Sequence, residues 1–226
     1  MINSTDIFPM MAVNDTLGYY DTCLVVGNGP SLANVRNDVL DKFVTFGANR
    51  CYLKFEPTYY VLVDEFVCKA NTKWIDEINA LSSKKFILEA FADKIECSTP
   101  LCCIHRIGFS FDPLNYVYAY FSVITAMMQL AYYMGFSTVI LIGVDHSFTT
   151  KGKPNETIVS TGDDPNHFNP AYFGKGFRWQ LPDLDTSEIA YRLAKQVYGD
   201  AGRKVLDATV EGQLTVFPKV DYRSLF

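Results

Sequence analysis

The sequence is poor in histidine, with three in 226 residues, and in tryptophan, with two. Scarce histidine narrows where proton transfer near neutral pH can sit, since no other unperturbed side chain titrates there. No uninterrupted apolar run approaches the ~20 residues that span a bilayer. The opening MINSTDIFPMMAVNDT lacks the basic start and apolar core of a secretory signal. The expectation is a cytoplasmic protein with no transmembrane segment, free in solution or peripheral to the inner face of the membrane. None of the six cysteines, Cys23, Cys51, Cys68, Cys97, Cys102 and Cys103, forms a C-x-x-C pair or a metal-ligand spacing. Several lie in apolar runs where reduced, buried thiols are common, so no disulfide framework is expected. Basic residues are not in excess: 20 Lys and Arg stand against 25 Asp and Glu, a net charge of −5. That balance argues against nucleic-acid binding, which needs a basic face to neutralise phosphates. A small anionic ligand remains compatible, because one helix end and a few side chains bind it locally. No internal repeat or low-complexity segment is apparent.

What is present suffices for one sizeable core: 49% hydrophobic residues in a chain of single-domain length, read as one domain over 1–226. In LVVGNGPSL (24–32) a β-favouring run stops at two glycines, which permit unusual backbone angles, followed by Ser31 at a helix start. The predicted element is a strand, a tight turn and a helix N-terminus, which points backbone N–H groups and a helix dipole at a phosphate. LANVRNDVLDKF continues as a short helix, VTFGAN as a second strand and TYYVLVDEF as a third. VCKANTKWIDEINAL reads as an amphipathic helix through Val67, Trp74, Ile78 and Leu81. KKFILEAF and LCCIHRIG are the fourth and fifth strands, YVYAYFSVITAMMQLAYYMGF a long helix packed on both sides, and TVILIGVDHSF the strongest strand. A helix over DTSEIAYRLAKQVYGDAG, capped near Thr186 or Ser187, precedes a last strand in RKVLDAT. Alternation of this kind implies an α/β fold, Rossmann-like, with a mostly parallel sheet flanked by helices. Residues 146–182 break the pattern with Gly, Pro, Asn and Asp, and read as a long lid insertion. Its rings, Phe168, Tyr172, Phe173, Phe177 and Trp179, argue against disorder and can stack on a sugar or base.

Ligands bind at the carboxyl ends of strands in open α/β sheets, so the residues just past each strand are the site candidates. They are Gly27, Asn28, Gly29, Pro30 and Ser31, then Asn49 and Arg50, Asp64 and Glu65, Asp145 and His146, and Asp207 and Thr209. Each also suits a cap or a turn. Asp64 and Asp145 end apolar strands, where a carboxylate can bind a magnesium–phosphate complex or a ribose hydroxyl. His105 reads as structural, within a strand. His146 follows Asp145, and His167 sits in the lid stretch DDPNHFNP, where a neutral imidazole can act as general base near pH 7. Lys175 and Arg178 of the lid are candidates to close over phosphates.

Three segments, LVVGNGPSL, FGANRCYLKFEPTYYVLVD and MQLAYYMGFSTVILIGVDHSF, resemble a superfamily of Rossmann-like transferases. One branch is the bacterial CMP-sialic acid sialyltransferases, the other the 6-hydroxymethylpterin diphosphokinase-like (MptE-like) family, whose closing segment VLDATVEGQLTVFPKVDY resembles. The sialyltransferase resemblance implies that Asn28, Ser31 and Asn49 contact the CMP part of a donor. It places Asp64 where that branch has an amide. It also matches the lid His-aromatic pair in His167-Phe168, without the second histidine that follows in that branch. The diphosphokinase resemblance matches Gly143, Asp145 and His167 and implies ATP with Mg²⁺, whereas the sialyltransferase type works without a metal. The leading expectation is a glycosyltransferase that uses a CMP-activated sugar in surface-polysaccharide assembly. Its partners are a nucleotide or nucleotide-sugar and a glycan or small-molecule acceptor, with self-association into a homo-oligomer left open. The alternatives are a Mg²⁺-dependent diphosphokinase on a pterin-like substrate and a non-catalytic nucleotide-binding protein.

Overall fold

The computed structural model describes residues 21–70, 72–119 and 122–225. The opening segment 1–20, and the reading made of it, lies outside the described residues, as do Asn71, Tyr120, Phe121 and Phe226. Five parallel strands come first, each ending in buried aliphatic or aromatic residues: β1 (Thr22–Val26), β2 (Val44–Ala48), β3 (Tyr59–Leu62), β4 (Lys84–Leu88) and β5 (Ser98–Leu101). A separate two-stranded piece, β6 (Cys103–Ile104) with β7 (Val117–Tyr118), follows. The large sheet is completed by β8 (Thr138–Ile142) and β11 (Lys204–Asp207), and between these the lid carries an antiparallel pair, β9 (Thr157–Val159) and β10 (Arg178–Gln180). The sheet order is β11-β8-β1-β2-β3-β4-β5. The chain runs outward from β1 to β5, then crosses back to place β8 on the other side of β1. The strand order therefore reverses between β1 and β8, which is where open α/β sheets form their ligand crevice.

Successive residues of β1 feed opposite layers: Cys23 and Val25 belong to one core, Leu24 and Val26 to the other. Both faces are covered, which accounts for the unbroken apolar strands. One layer is built on α4 (Val123–Tyr133) and α5 (Leu184–Asp200). Residues Ile124 to Ala131 of α4 are all buried, so this helix is packed on both sides as its composition predicts. The other layer holds α1 (Asn37–Leu40), α2 (Glu65–Ala70) and α3 (Thr72–Asn79).

Five boundaries differ from the sequence reading. The stretch after the first turn is not one helix but a 3₁₀ turn, Pro30–Asn34, and the single-turn α1, with Arg36 extended between them. Ser31 is not a cap. The amphipathic segment is two short helices, α2 and α3. The fifth sheet strand is STPL rather than LCCIHRIG: Cys103–Ile104 leaves for the small pair, and His105 lies just past it, not in a strand. The long helix starts only at Val123, because Val117–Tyr118 pairs with β6 and the Ser122 hydroxyl caps α4 through Ile124 N–H. In α5 the cap is Asp183, one turn earlier than Thr186, whose N–H and hydroxyl both donate to its carboxylate.

The lid is ordered by its own core. Tyr172, Phe173 and Trp179 are buried in the layer that holds Trp74 and Ile78, each ring contributing roughly 2–3 kcal/mol of burial. Arg50 clamps them from behind, its guanidinium donating to the carbonyls of Ala171 and Tyr172 and lying 4.4 Å over the Trp74 ring. Arg50 is thus a structural residue. The expectation that the lid rings as a group stack on ligand is corrected: most of them face inward.

Candidate active site

The strand ends at the β1–β8 reversal are held together by glycine. Gly27 N–H donates to Ile142 O at 2.8 Å and Gly29 N–H to Gly143 O at 2.9 Å. A Cβ on Gly27 would overlap the Gly143 carbonyl, and one on Gly29 would overlap the Asp145 carboxylate. Neither glycine has a positive φ. Space, not backbone freedom, is what these positions demand, contrary to the sequence reading.

Asp145 explains Ser31. Its carboxylate accepts from Ser31 N–H at 3.0 Å and Ser31 Oγ–H at 2.7 Å, so both oxygens are engaged by one residue. Burial pushes the Asp145 carboxyl up, and the Ser31 bonds oppose the shift. With the amides of Gly27, Gly29 and Ser31 all donating inside the protein, the turn is not the open nest of N–H groups that a phosphate needs. The phosphate role expected for the Gly27–Ser31 backbone is corrected on that ground.

The turn instead presents amide side chains. Asn28 Nδ2 donates to Ala48 O at 3.0 Å, which ties β1 to β2 and fixes the amide orientation. Its main-chain carbonyl accepts from Phe168 N–H at 3.0 Å, joining the turn to the lid. Asn28 Oδ1 and Asn49 Oδ1 are both buried and without a partner in the protein. Asn49 has a left-handed φ of 53° and His146 one of 55°, both rare for residues with a Cβ. Unpaired acceptors and strained backbone at strand ends are the pattern found where a ligand completes the site.

A cleft opens above these residues in two lobes. The inner lobe, about 180 Å³, is lined by the Gly27–Gly29 turn, Asp145, His146, Ser122 and Tyr191 among others. The outer lobe, about 520 Å³, is bounded by Asp64, Glu65, Phe173, Trp179 and Asp183 among others. Asn49, Ser122, Phe148 and His167 belong to both walls. Pro30 and Ser31 lie behind the wall rather than on it. Lys175 and Arg178 line neither lobe.

His167 stands where the lobes meet. Its Nδ1 is 2.8 Å from Asp164 Oδ2, and its ring stacks on Tyr172 with centroids 4.0 Å apart and 4° between planes. Asp164 is buried and also accepts from Asn166 N–H at 2.9 Å and Phe173 N–H at 3.2 Å. Burial raises its carboxyl, but the His167 bond and these amides outweigh it and hold it below the usual carboxylate range. A carboxylate on Nδ1 selects the tautomer with Nδ1–H and leaves the Nε2 lone pair for the cleft. Asp164, the residue that holds the His167 ring, is absent from the sequence-based candidates. Its D-x-x-H spacing is the signal that would have found it.

Asp64 and Asp145 line different lobes. Asp64 Oδ1 caps α2 by accepting from Phe66 N–H at 2.8 Å and Val67 N–H at 3.4 Å, and burial pushes its carboxyl up. The two acids do not fit a shared magnesium site. Asp207 and Thr209 are structural: Asp207 is fully buried, bound by Thr209 N–H at 2.8 Å and Lys219 Nζ at 2.6 Å, and Thr209 Oγ1 accepts from Val144 N–H at 3.1 Å.

A family model described as 6-hydroxymethylpterin diphosphokinase MptE-like matches residues 2–151, well over half of the chain. Among solved structures, the MAf glycosyltransferase from Magnetospirillum magneticum AMB-1 is similar with a TM-score of 0.54 and 13% identity, over 92% of this chain and 34% of that one. The chain thus spans about a third of that protein's length, and at this identity the likeness concerns the fold. No protein of curated function matches the sequence.

Proposed function

The chain belongs to the MptE-like family, and we propose that it is a transferase whose donor is a CMP-activated sugar. The observation that carries this reading is the charge of the cleft. No lysine or arginine is among the described residues lining either lobe, and the undescribed residues of the sequence include none. A nucleoside triphosphate brings about four negative charges and calls for Lys, Arg or a metal to offset them. A CMP-sugar brings one phosphodiester. The orphaned acceptors Asn28 Oδ1 and Asn49 Oδ1 suit a ligand that donates hydrogen bonds, such as ribose hydroxyls or the amino group of cytosine.

In this reading His167 Nε2 takes the proton of an acceptor hydroxyl as that oxygen attacks the anomeric carbon. Asp164 holds the tautomer and steadies the imidazolium that forms. The outer lobe, bounded by the carboxylates of Asp64, Glu65 and Asp183, suits the hydroxyls of a sugar. A diphosphokinase acting on ATP is the second reading, favoured by the description of the family model. It asks for magnesium ligands that Asp145, with both oxygens on Ser31, and Asp64, a helix cap, do not jointly supply.

The test is release of CMP from CMP-sialic acid, with and without an oligosaccharide acceptor, for the wild type and His167→Ala. The expected result is release by the wild type and a loss of about 10²- to 10⁴-fold in the variant. AMP formation from ATP that requires Mg²⁺, with no CMP release from any donor, would replace this reading with the second.

A further inference from the structure

A second histidine with its own carboxylate faces the inner lobe from a different wall. His146 follows Asp145 at the end of β8, and its Nε2 lies 3.2 Å from Glu188 Oε1 on α5. The same Glu188 carboxylate accepts from Arg192 at 2.9 Å, which fixes it on the helix surface. The His146 side chain is 8% exposed, and its ring meets that of Tyr191 edge-on at 6.1 Å. Tyr191 is in turn 2.9 Å from the Ser122 hydroxyl, so the ring sits in a wall built from β8, α5 and the start of α4. The left-handed backbone at His146, φ 55°, is what turns the side chain back from the strand end toward that wall. The backbone conformation does not itself call for a histidine, since Asn or Gly adopts it at least as readily.

Resting on the CMP-sugar reading above, we propose that His146, positioned by Glu188, is the acid that protonates the departing phosphate, complementing the His167 base. The chemistry favours such a group. When the bond from the anomeric carbon to the phosphate oxygen breaks, its electron pair stays on that oxygen as new negative charge. The walls of the inner lobe contain no Lys or Arg among the described residues, which leaves His146 and His167 as the lining side chains able to carry positive charge. With Nε2 donating to Glu188, His146 Nδ1–H is the proton that moves to the phosphate oxygen. His167 Nε2 meanwhile receives the acceptor's proton, and exchange with water resets both rings. Glu188 acts through His146 and is a positioning residue.

The groups facing His146 are Glu188, Asp185 and Tyr191 of α5 and its neighbour Asp145. Burial pulls the imidazole below its usual range, and Glu188 and then Asp185 pull it back toward protonation. In the free protein His146 is therefore less protonated than an exposed histidine, and an arriving phosphate recruits the proton. Donor binding is coupled to proton uptake at this one ring.

Calorimetry of CMP between pH 6 and 8, in buffers of different ionisation enthalpy, reads that coupling directly. The proteins are the wild type, His146→Asn, His146→Gln and Glu188→Gln. Asn is included because it tolerates the left-handed backbone, and melting temperatures near wild type show that both His146 variants are folded. The wild type is expected to take up more protons on binding than either His146 variant. At pH 6 those variants should bind CMP about tenfold more weakly than wild type, with the gap narrowing by pH 8. Glu188→Gln should retain the uptake but shift it to lower pH. CMP binding with equal proton uptake in wild type and both His146 variants overturns the role of His146 and leaves the CMP-sugar reading standing. Failure of the wild type to bind CMP overturns that reading, and this assignment falls with it.

Discussion

Asp164 is where the account of His167 is most exposed to experiment. Three donors converge on its carboxylate: Asn166 N–H on Oδ1, and Phe173 N–H and His167 Nδ1 on Oδ2. Asp164→Ala leaves all three donors without their acceptor in a buried site, at about 1–3 kcal/mol each before relaxation, and with relaxation the loss should be roughly 2–5 kcal/mol. Asp164→Asn is the sharper perturbation. If the amide oxygen stays on Asn166 N–H, the new NH₂ faces Phe173 N–H and His167 Nδ1, donor against donor. His167 then has to move its proton to Nε2 to accept at Nδ1, and the lone pair in the cleft is lost. The expected cost is about 1–3 kcal/mol in stability, with turnover falling about 10²-fold or more. Thermal or denaturant unfolding reads the first quantity and CMP release from a CMP-sugar the second. The double variant Asp164→Asn/His167→Ala should turn over no more slowly than His167→Ala alone, because residues that act as a unit are not additive. Wild-type turnover in Asp164→Asn, or additive losses in the double variant, would refute the argument that Asp164 works through His167.

The remaining predictions concern binding, a cap and acid. Asn28→Ala should weaken CMP binding by about 1–3 kcal/mol in calorimetry and cost roughly 1 kcal/mol of stability in melts, since Ala48 O loses its donor; unchanged affinity would make Asn28 only a turn residue. Asp64→Asn keeps a good cap on α2 while removing a carboxylate whose folded-state value is raised by burial. A raised carboxyl disfavours the folded state above its folded-state value, so the variant should melt roughly 2 °C higher at pH 7 and show no gain near pH 4; a lower melting temperature at pH 7 would contradict this. Asp164 has the opposite sign: held below its usual range, it contributes stability that is in place above about pH 4 and lost as pH falls through its folded-state value. An acid titration of stability in Asp164→Asn should therefore be flatter than in wild type below pH 4.

The frame of the molecule was readable because its signals are local. A β-favouring run stopped by Gly27-Asn28-Gly29-Pro30-Ser31, and apolar strands ended by Asp64 and Asp145, place a parallel sheet and its carboxyl edge without reference to anything distant. The roles of those residues depend on partners far along the chain. Gly27 and Gly29 look like positions of backbone freedom until Gly143 O and Asp145 are seen to occupy the space a Cβ would need. Ser31 resembles a helix cap in sequence, and is instead tied to a carboxylate 114 residues away. The lid rings look like a ligand platform because composition does not say which way a ring points, and Tyr172, Phe173 and Trp179 turn inward onto Trp74 and its neighbours. Asp164 and His167 are close in sequence, yet their pairing is hidden in a run of polar loop residues. Glu188 and His146 are separated by the whole lid, and no local pattern joins them.

The central claim is that the β1–β8 crevice holds a nucleoside carrying a single phosphate group. Calorimetry and thermal shift with CMP, CDP, UDP, ADP and ATP, each with and without Mg²⁺, test it most directly. CMP is expected to bind and stabilise the protein equally well with and without Mg²⁺, and Asn28→Ala to weaken this binding. Tight, Mg²⁺-dependent binding of ATP with none of CMP, or no binding of any nucleotide, would contradict it.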